Sequence, residues 1–376
     1  MEKKMKILSC LCSYKGCLSS RQANEIIQKY SSQCYPEDDV SQFPLADGGE
    51  GTLSCLSFLF PGRKIKEVYL PGPLRENRVK ASYGILDNTM VIEVAQILGL
   101  SLNPGLCFDK TTSYGLGLLL KKGREMGFTS FLVGLGGSAI ADEGAGARKA
   151  LGFSFFDKEG KEVFPVSGNL LTIERRKMPT SIDTKEVSVT LLCDVKSTLF
   201  GKNGATYLFS GQKGAEKEKL PLYEKGRKHL NHLISQSIGK DVSSFPSSGA
   251  AGGLGAFFQR FFKTEVTSGA SYIREKGKRE ERRKGCDFVL LGEGHTDKST
   301  LQGKSLYPVL QRAKKRKVKG VLLSGIIDED IKDKRKKEGV AFFSPLHSSP
   351  TGNFSLTAKE DLKRAYSFFR TNINKA

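Results

Sequence analysis

The sequence predicts an α/β fold divided into two domains, and three observations lead there. The 376 residues exceed the size at which a single hydrophobic core stops growing. Hydrophobic residues make up 38% and glycine fills 41 positions, which suits strands joined by tight turns better than a disordered chain. Short apolar runs of strand type are followed by helical patterns near both ends of the chain.

Taken in order, Lys6–Leu11 reads as a buried strand, and Ser13–Leu18 as the loop on its carboxyl side, where open α/β sheets place ligands. Ser19 and Gln22 have capping-box spacing, and Ala23, Ile26, Ile27 and Tyr30 follow at helical intervals. The middle of the chain carries strand candidates at Met90–Val94, Phe131–Leu135 and Val187–Cys193. A polar, basic stretch at Arg274–Lys284 reads as an exposed helix or linker. The opening pattern then returns, with strand Asp287–Leu291, loop Gly292–Lys304, helix Ser305–Lys317 and strand Val318–Leu323. The shared pattern suggests one doubly wound domain built from residues 1–76 and 287–376, with residues 77–286 inserted as a second, mixed α/β domain.

Several function classes recede on composition. The longest apolar runs, such as Phe131–Leu135, are far shorter than the roughly 20 residues that cross a bilayer, and Met1–Leu11 lacks the apolar region of a signal peptide. A cytoplasmic protein without a membrane partner is expected. Eight cysteines show no Cys-x-x-Cys spacing or adjoining histidine cluster, so disulfide and structural-metal frameworks are both weakly supported. The formal charge of +20 raises the question of nucleic acid. Acids are mixed into the basic runs Arg274–Lys284 and Lys332–Lys337, and no aromatic RNA-binding motif accompanies them. No nucleic-acid partner is expected, and the charge is read as a solvated surface that attracts anionic substrates.

Chemistry is concentrated in glycine-rich loops with charged members. Phosphoryl transfer asks for backbone amides and cations around phosphates, carboxylates for magnesium, and a group that orients the attacking hydroxyl. Six segments fit: Tyr14-Lys15-Gly16, Pro44–Thr52, Gly134–Gly146, Gly211–Gly214, Gly249–Gly255 and Gly292-Glu293-Gly294. Gly303-Lys304-Ser305 resembles the end of a Walker loop, but that motif needs glycine where Lys298 stands. Gly134–Ala139 imitates a dinucleotide fingerprint without the ribose-binding acid on a following strand. Asp47 and Glu50 place two acids on one turn, suited either to magnesium and hydroxyl or to capping the helix expected near Thr52. Asp194 follows a strand, as either a site acid or a satisfied strand-end acid. His229 and His232 share one helical face without a third ligand.

The segments PLADGGEGT, KTTSYGLG, GLGGSA, QKGA, GAAGGLGA and GEG-x-x-D occur in this order, with Cys193-Asp194-Val195 among them. In this the chain resembles the bacterial-type glycerate kinases from about residue 5 to residue 370. The resemblance implies a flavodoxin-like (Rossmann-like) parallel-sheet domain with a mixed α/β domain inserted in it. It also implies transfer of the γ-phosphoryl of ATP to D-glycerate with Mg2+, giving 2- or 3-phosphoglycerate. Carried over residue by residue, it implies catalytic roles for Lys15, Asp47, Asp194 and Asp297. Gly16, Gly48, Gly49, Gly136, Gly137, Ser138, Lys213, Gly252, Gly253, Gly292, Gly294, His295 and Lys304 would bind substrate or nucleotide. Glu50, Asp142 and Glu293 would hold metal.

The chain departs from the family pattern at four places. Cys12 stands for aspartate, Ile140-Ala141 for Thr-Asn, Ser197-Thr198 for Asn-Pro, and His295 for arginine, a shorter and mostly neutral side chain in place of a charged fork. Two other readings therefore stay open, a ligand-binding protein in a kinase fold and a polyanion binder. Homo-oligomerisation is open as well.

Overall fold

The computed structural model describes residues 4–14, 17–179, 186–276, 285–296, 306–328, 340–345 and 354–372. The chain forms two compact units, the first from residues 1–47, 54–61 and 269–376, the second from residues 48–53 and 62–268. Strands are numbered along the whole chain.

The first unit holds a five-stranded sheet of β1 (Lys6–Leu11), β2 (Asp39–Gln42), β12 (Phe288–Thr296), β13 (Lys319–Ile327) and β14 (Val340–Pro345), in the order β14-β13-β12-β1-β2. Every pairing is parallel. Counted within the unit alone, the order is 2-1-3-4-5. Parallel strands covered on both faces read as continuous apolar runs, and Ile7, Leu11, Leu290, Val321 and Leu323 are all buried in one core. Helix Ser20–Cys34 starts where the sequence indicates. The Ser19 hydroxyl accepts the Gln22 N–H, and the Gln22 side chain accepts the Ser19 N–H at 2.9 Å, a reciprocal capping box. The helix buries Ala23 and Ile27, and Leu362, Tyr366 and Phe369 of helix Phe354–Asn372 enter the same core.

The second unit has a six-stranded mixed sheet, ordered β11-β10-β6-β5-β4-β3. Its strands are β3 (Lys64–Pro71), β4 (Arg78–Leu86), β5 (Thr89–Glu93), β6 (Ser130–Gly134), β10 (Ser188–Leu192) and β11 (Lys263–Thr267). β3, β4 and β5 run antiparallel to their neighbours in turn, whereas β5, β6, β10 and β11 are mutually parallel. A small antiparallel sheet of β7 (Ser154–Phe156), β8 (Glu162–Val163) and β9 (Arg175–Lys177) has the order β8-β7-β9.

The compact units divide the chain at 47/48, 53/54, 61/62 and 268/269, where domain boundaries at 76/77 and 286/287 were expected. β3 pairs along its whole length with β4, which ties residues 64–71 to the second sheet, and helix Gly269–Lys276 belongs to the first unit. Gly292-Glu293-Gly294 is not the start of a loop. It continues β12 as far as Thr296, opposite β13, because β13 itself extends to Ile327 and supplies ladder partners. Among the described residues no helix is long and apolar enough to cross a membrane.

The cap gives a direct check. Ser19→Ala removes the side-chain acceptor of the Gln22 N–H, and should lower the stability of the first unit by about 1 kcal/mol in urea unfolding. An unchanged midpoint would show that the capping box contributes nothing.

Candidate functional site

In the second unit the carboxyl ends of β5, β6 and β10 lie side by side, with Glu93 opposite Gly134 and Gly134 opposite Leu192. The Gly48–Leu53 segment is strapped over this edge. Gly48 has φ +98°, and a Cβ there would stand 2.1 Å from the Leu192 carbonyl oxygen. One on Gly134 would stand 2.5 Å from the Gly48 carbonyl oxygen, and one on Gly136 2.5 Å from the Gly49 Cα. These glycines are therefore required by backbone packed on backbone. The buried strap leaves the side chains of Asp47 and Glu50 exposed at its start and middle.

Asp142, expected to hold metal, is surrounded by protein donors. It is fully buried. Its Oδ2 accepts the N–H of Ser113 at 2.7 Å, the Ser113 hydroxyl at 2.8 Å and the N–H of Gly146 at 3.0 Å, while its Oδ1 accepts the N–H of Gly144 at 3.1 Å. Three of these four donors meet at Oδ2, inside a fully buried site. Asp142 ties the 134–146 loop to the start of helix Tyr114–Glu125. Among the described residues no group of three His, Cys, Asp or Glu converges as a metal site.

Lys213 and Ser138, expected as binding residues, do meet. Lys213 is buried, and its Nζ donates to the Ile140 carbonyl at 2.6 Å and the Ser138 hydroxyl at 3.3 Å. Burial pushes its pKa down to about 7, with Arg227 acting in the same direction and Asp142 opposing. Beside it Glu143, Arg148, Arg227 and Arg260 are also buried. Burial pushes Glu143 up to about 7 against the pull of the three arginines, and brings Arg148 down to about 9. Arg148 donates to the Glu143 carbonyl at 2.7 Å, and Arg227 to the Thr206 hydroxyl at 3.0 Å.

The same loop is roofed by a kink at 251–253, where Ala251, Gly252 and Gly253 have φ of 48°, 69° and 97°. A Cβ on Gly252 would stand 2.0 Å from the Ile140 carbonyl oxygen. Gly252 accepts the Glu143 N–H through its own carbonyl at 3.0 Å. Gly252 and Gly253 thus carry a packing role that their expected assignment to ligand did not include. Gly137, with φ +64°, is exposed at the loop tip, and Asp194 is half-buried just past β10.

In the first unit Gly292 is buried where a Cβ would meet the Leu323 carbonyl oxygen at 2.2 Å and the Tyr14 hydroxyl at 2.3 Å. Glu293 and Gly294 are half-buried at the carboxyl end of β12. Exposed His295 pairs through Nε2 with Asp328 Oδ1 at 2.8 Å. Lys15, Gly16, Asp297 and Lys304 lie outside the described residues.

Sequence reasoning missed Glu93. It is 2% exposed at the end of β5 and accepts the N–H of Gly51 at 3.0 Å and that of Leu53 at 2.8 Å. The signal was available, since Val91-Ile92-Glu93-Val94-Ala95 sets one acid inside an apolar run, and such an acid is buried only when paired. The buried arginines gave no comparable signal, because each sits at an ordinary position in a helix.

Comparison with known proteins gives the family. The Glycerate kinase family model matches residues 7–368. A glycerate kinase of Bacillus cereus is 32% identical over 376 residues, covering 98% of this chain and 95% of the relative. A glycerate 2-kinase of Escherichia coli K12 is 33% identical, covering 92% of each. A crystal structure assigned as a glycerate kinase 2 from Salmonella typhimurium LT2 superposes with TM-score 0.76 at 28% identity, over 99% of each chain. The fold and its strapped loops thus define a mixed α/β protein of the kinase type. The chain belongs to the glycerate kinase family.

Two measurements probe this site. Gly62 also has positive φ, 86°, but open space around its Cβ position, so Gly62→Ala should cost about 1–2 kcal/mol for conformation alone. Gly48→Ala adds the clash with Leu192 and should cost about 2–5 kcal/mol. Equal losses in urea unfolding would show that the strap yields easily. Lys213 supplies the second. Unfolded, it keeps its proton up to about 10.5; folded, it releases it near 7. Between those values the unfolded state binds the extra proton, so stability rises with pH. Wild type should gain on Lys213→Met as pH is raised from about 7 to 10, and a difference independent of pH would mean the ammonium is not desolvated.

Proposed function

We propose that this protein is an ATP-dependent glycerate kinase that transfers the γ-phosphoryl group of ATP to a hydroxyl of D-glycerate. The observation that carries the reading is the Asp47–Glu50 turn. Two exposed carboxylates stand on a strap whose glycines are held by the sheet edge, in a chain that matches the family along nearly its whole length. The relatives named glycerate kinase and glycerate 2-kinase support the substrate. The latter name makes 2-phosphoglycerate the product we assign. The flavodoxin-like reading of the first unit is supported by its all-parallel 2-1-3-4-5 strand order.

In this reading the bond between the γ-phosphorus and its bridging oxygen breaks as the substrate oxygen bonds to phosphorus, and the hydroxyl proton must leave. Catalysis of such a transfer is mainly positioning and electrostatic stabilisation. Asp47 orients the hydroxyl and takes its proton, with Asp194, at the end of β10, as a second acid. Glu50 fits magnesium, which prefers carboxylate oxygens and keeps several waters, and magnesium when bound neutralises charge on the phosphates. Asp142 fits magnesium less well, since it is fully buried and its oxygens accept donors from Ser113, Gly144 and Gly146. Ser138 and Gly137 present the loop tip to the substrate, and Lys213 holds that loop from beneath. Glu293, His295 and Lys15, in the first unit, keep in this reading the metal, binding and catalytic roles that the family pattern implies.

Purified protein with ATP, Mg2+ and D-glycerate should form ADP and 2-phosphoglycerate, distinguished from the 3-isomer by 31P NMR. Asp47→Asn should lower kcat by about 100- to 10,000-fold with the fold retained. Ligand binding without turnover would instead favour a binding protein in a kinase fold. Lys15→Met removes charge but keeps the aliphatic stem, and unchanged kinetic constants would take Lys15 out of the site.

A further inference from the structure

We propose that Glu93 is a positioning residue of this reaction, a buried clamp that fixes the Gly48–Leu53 strap and with it the orientation of the acids carried by that turn. The inference rests on the kinase reading above and adds a residue that the motifs do not contain.

A helix beginning at Thr52 presents unpaired N–H groups at its first turn. The usual solution is a local side chain at the cap, and the sequence provides candidates in Asp47 and Glu50. The structure brings a distant acid to two of these groups. The N–H groups of Gly51 and Leu53 go to the separate oxygens of Glu93, forty residues or so along the chain, at 3.0 and 2.8 Å. Glu93 stands opposite Gly134 in the parallel ladder of β5 and β6. Gly134 is also the residue against which the Gly48 carbonyl packs. The strap is thus fixed at two neighbouring points of one sheet edge, by backbone contact at Gly48–Gly49 and by the carboxylate at Gly51 and Leu53. Between them Glu50 is left exposed.

The arrangement is electrostatically unfavourable for stability alone. Burial raises the Glu93 pKa to about 7, and Glu50 adds like-charge repulsion, against hydrogen bonds from Leu53, Gly51 and Gln96. Burying an acid near a second acid to cap a helix of eight residues costs stability, and what it supplies is a turn held to the sheet edge at Gly51 and Leu53. A displacement of about 1 Å at a reacting group can cost on the order of 100-fold in rate, which is what a clamp of this kind guards against.

Glu93→Gln keeps the shape but turns an amide N–H2 toward one of the two donors, so the strap must shift. With wild-type turnover of D-glycerate first established, kcat of Glu93→Gln should fall at least about tenfold while both KM values stay within about twofold. Ile234→Val, a buried core variant of the same unit, supplies a control for loss of stability and should retain kcat. A Glu93→Gln enzyme with wild-type kcat, or one that loses activity only as the control does, overturns the proposal. A second readout needs neither turnover nor the variant. In wild-type protein the amide hydrogens of Gly51 and Leu53 should exchange as slowly as those of β5 and β6, and rapid exchange at both would refute the clamp even if the kinase reading holds. Protected amides in a protein that does not phosphorylate glycerate would leave the clamp in place and remove the reaction it was assigned to.

Discussion

The second unit depends on one constraint, the direct contact of glycine backbone with the carboxyl edge of its sheet. Gly48, Gly134 and Gly136 each stand where a single carbon would run into main chain at 2.5 Å or less. Main chain cannot yield as a flexible side chain can, so the contact fixes where the strap lies. Once the strap is placed, the start of helix Thr52–Leu59 is placed, its first N–H groups reach Glu93, and Leu53 packs over Gly84. The exposed acids are then presented by a segment whose own backbone is buried on both sides of them. Glycine in this family motif gives close approach first and conformational freedom second, which inverts the usual reading of a glycine-rich loop as a mobile one.

The neighbouring loop is held by charge as well as by contact. Asp142 takes donors from the starts of two helices, Lys213 props the Ile140 carbonyl, and Glu143 sits among Arg148, Arg227 and Arg260. Buried charges carry desolvation costs that hydrophobic residues of equal volume would avoid. Their retention beneath a loop expected to meet anions is consistent with electrostatic preorganisation, in which fixed donors and charges are arranged before the ligand arrives. The raised Glu143 and lowered Lys213 pKa values both express the same desolvation.

Much of this was legible in the sequence, for reasons that can be named. Parallel strands buried on both faces announce themselves as apolar runs, so Lys6–Leu11 was located to the residue, and the Ser19–Gln22 box located the first helix. Boundaries between units were less legible. β3 is assigned to the second unit only by pairing with β4, and its alternating exposure gives no hint of which sheet it joins. Gly292-Glu293-Gly294 looked like a loop because glycine weakens strand propensity, yet pairing with β13 outweighed propensity. At the site, residue identity was legible and role was not. Asp142 and Asp47 are both acids in glycine-rich loops, and only burial separates the loop staple from the exposed carboxylate.

The departures from the family pattern look different once their surroundings are known. At Ile140-Ala141 the backbone does the bonding, since the Ile140 carbonyl accepts Lys213 and the Ala141 N–H is donated to the Ser167 hydroxyl at 2.9 Å. Both side chains are buried, and Ala141 packs with Phe108 and Tyr223. A change from polar to apolar at these two positions therefore leaves the loop's own hydrogen bonds intact. Cys12 likewise contributes its N–H to the Gly292 carbonyl at 2.8 Å, a bond indifferent to side chain. His295 is the exception. It is exposed, and its contact is made by the ring, with Asp328. The imidazole meets this carboxylate through a single nitrogen, whereas an arginine there would offer a planar fork with permanent charge. Among these positions His295 is the one where the exchanged side chain is exposed and makes its own contact, so an effect of the departures on chemistry should be sought at His295 before buried Ile140 and Ala141.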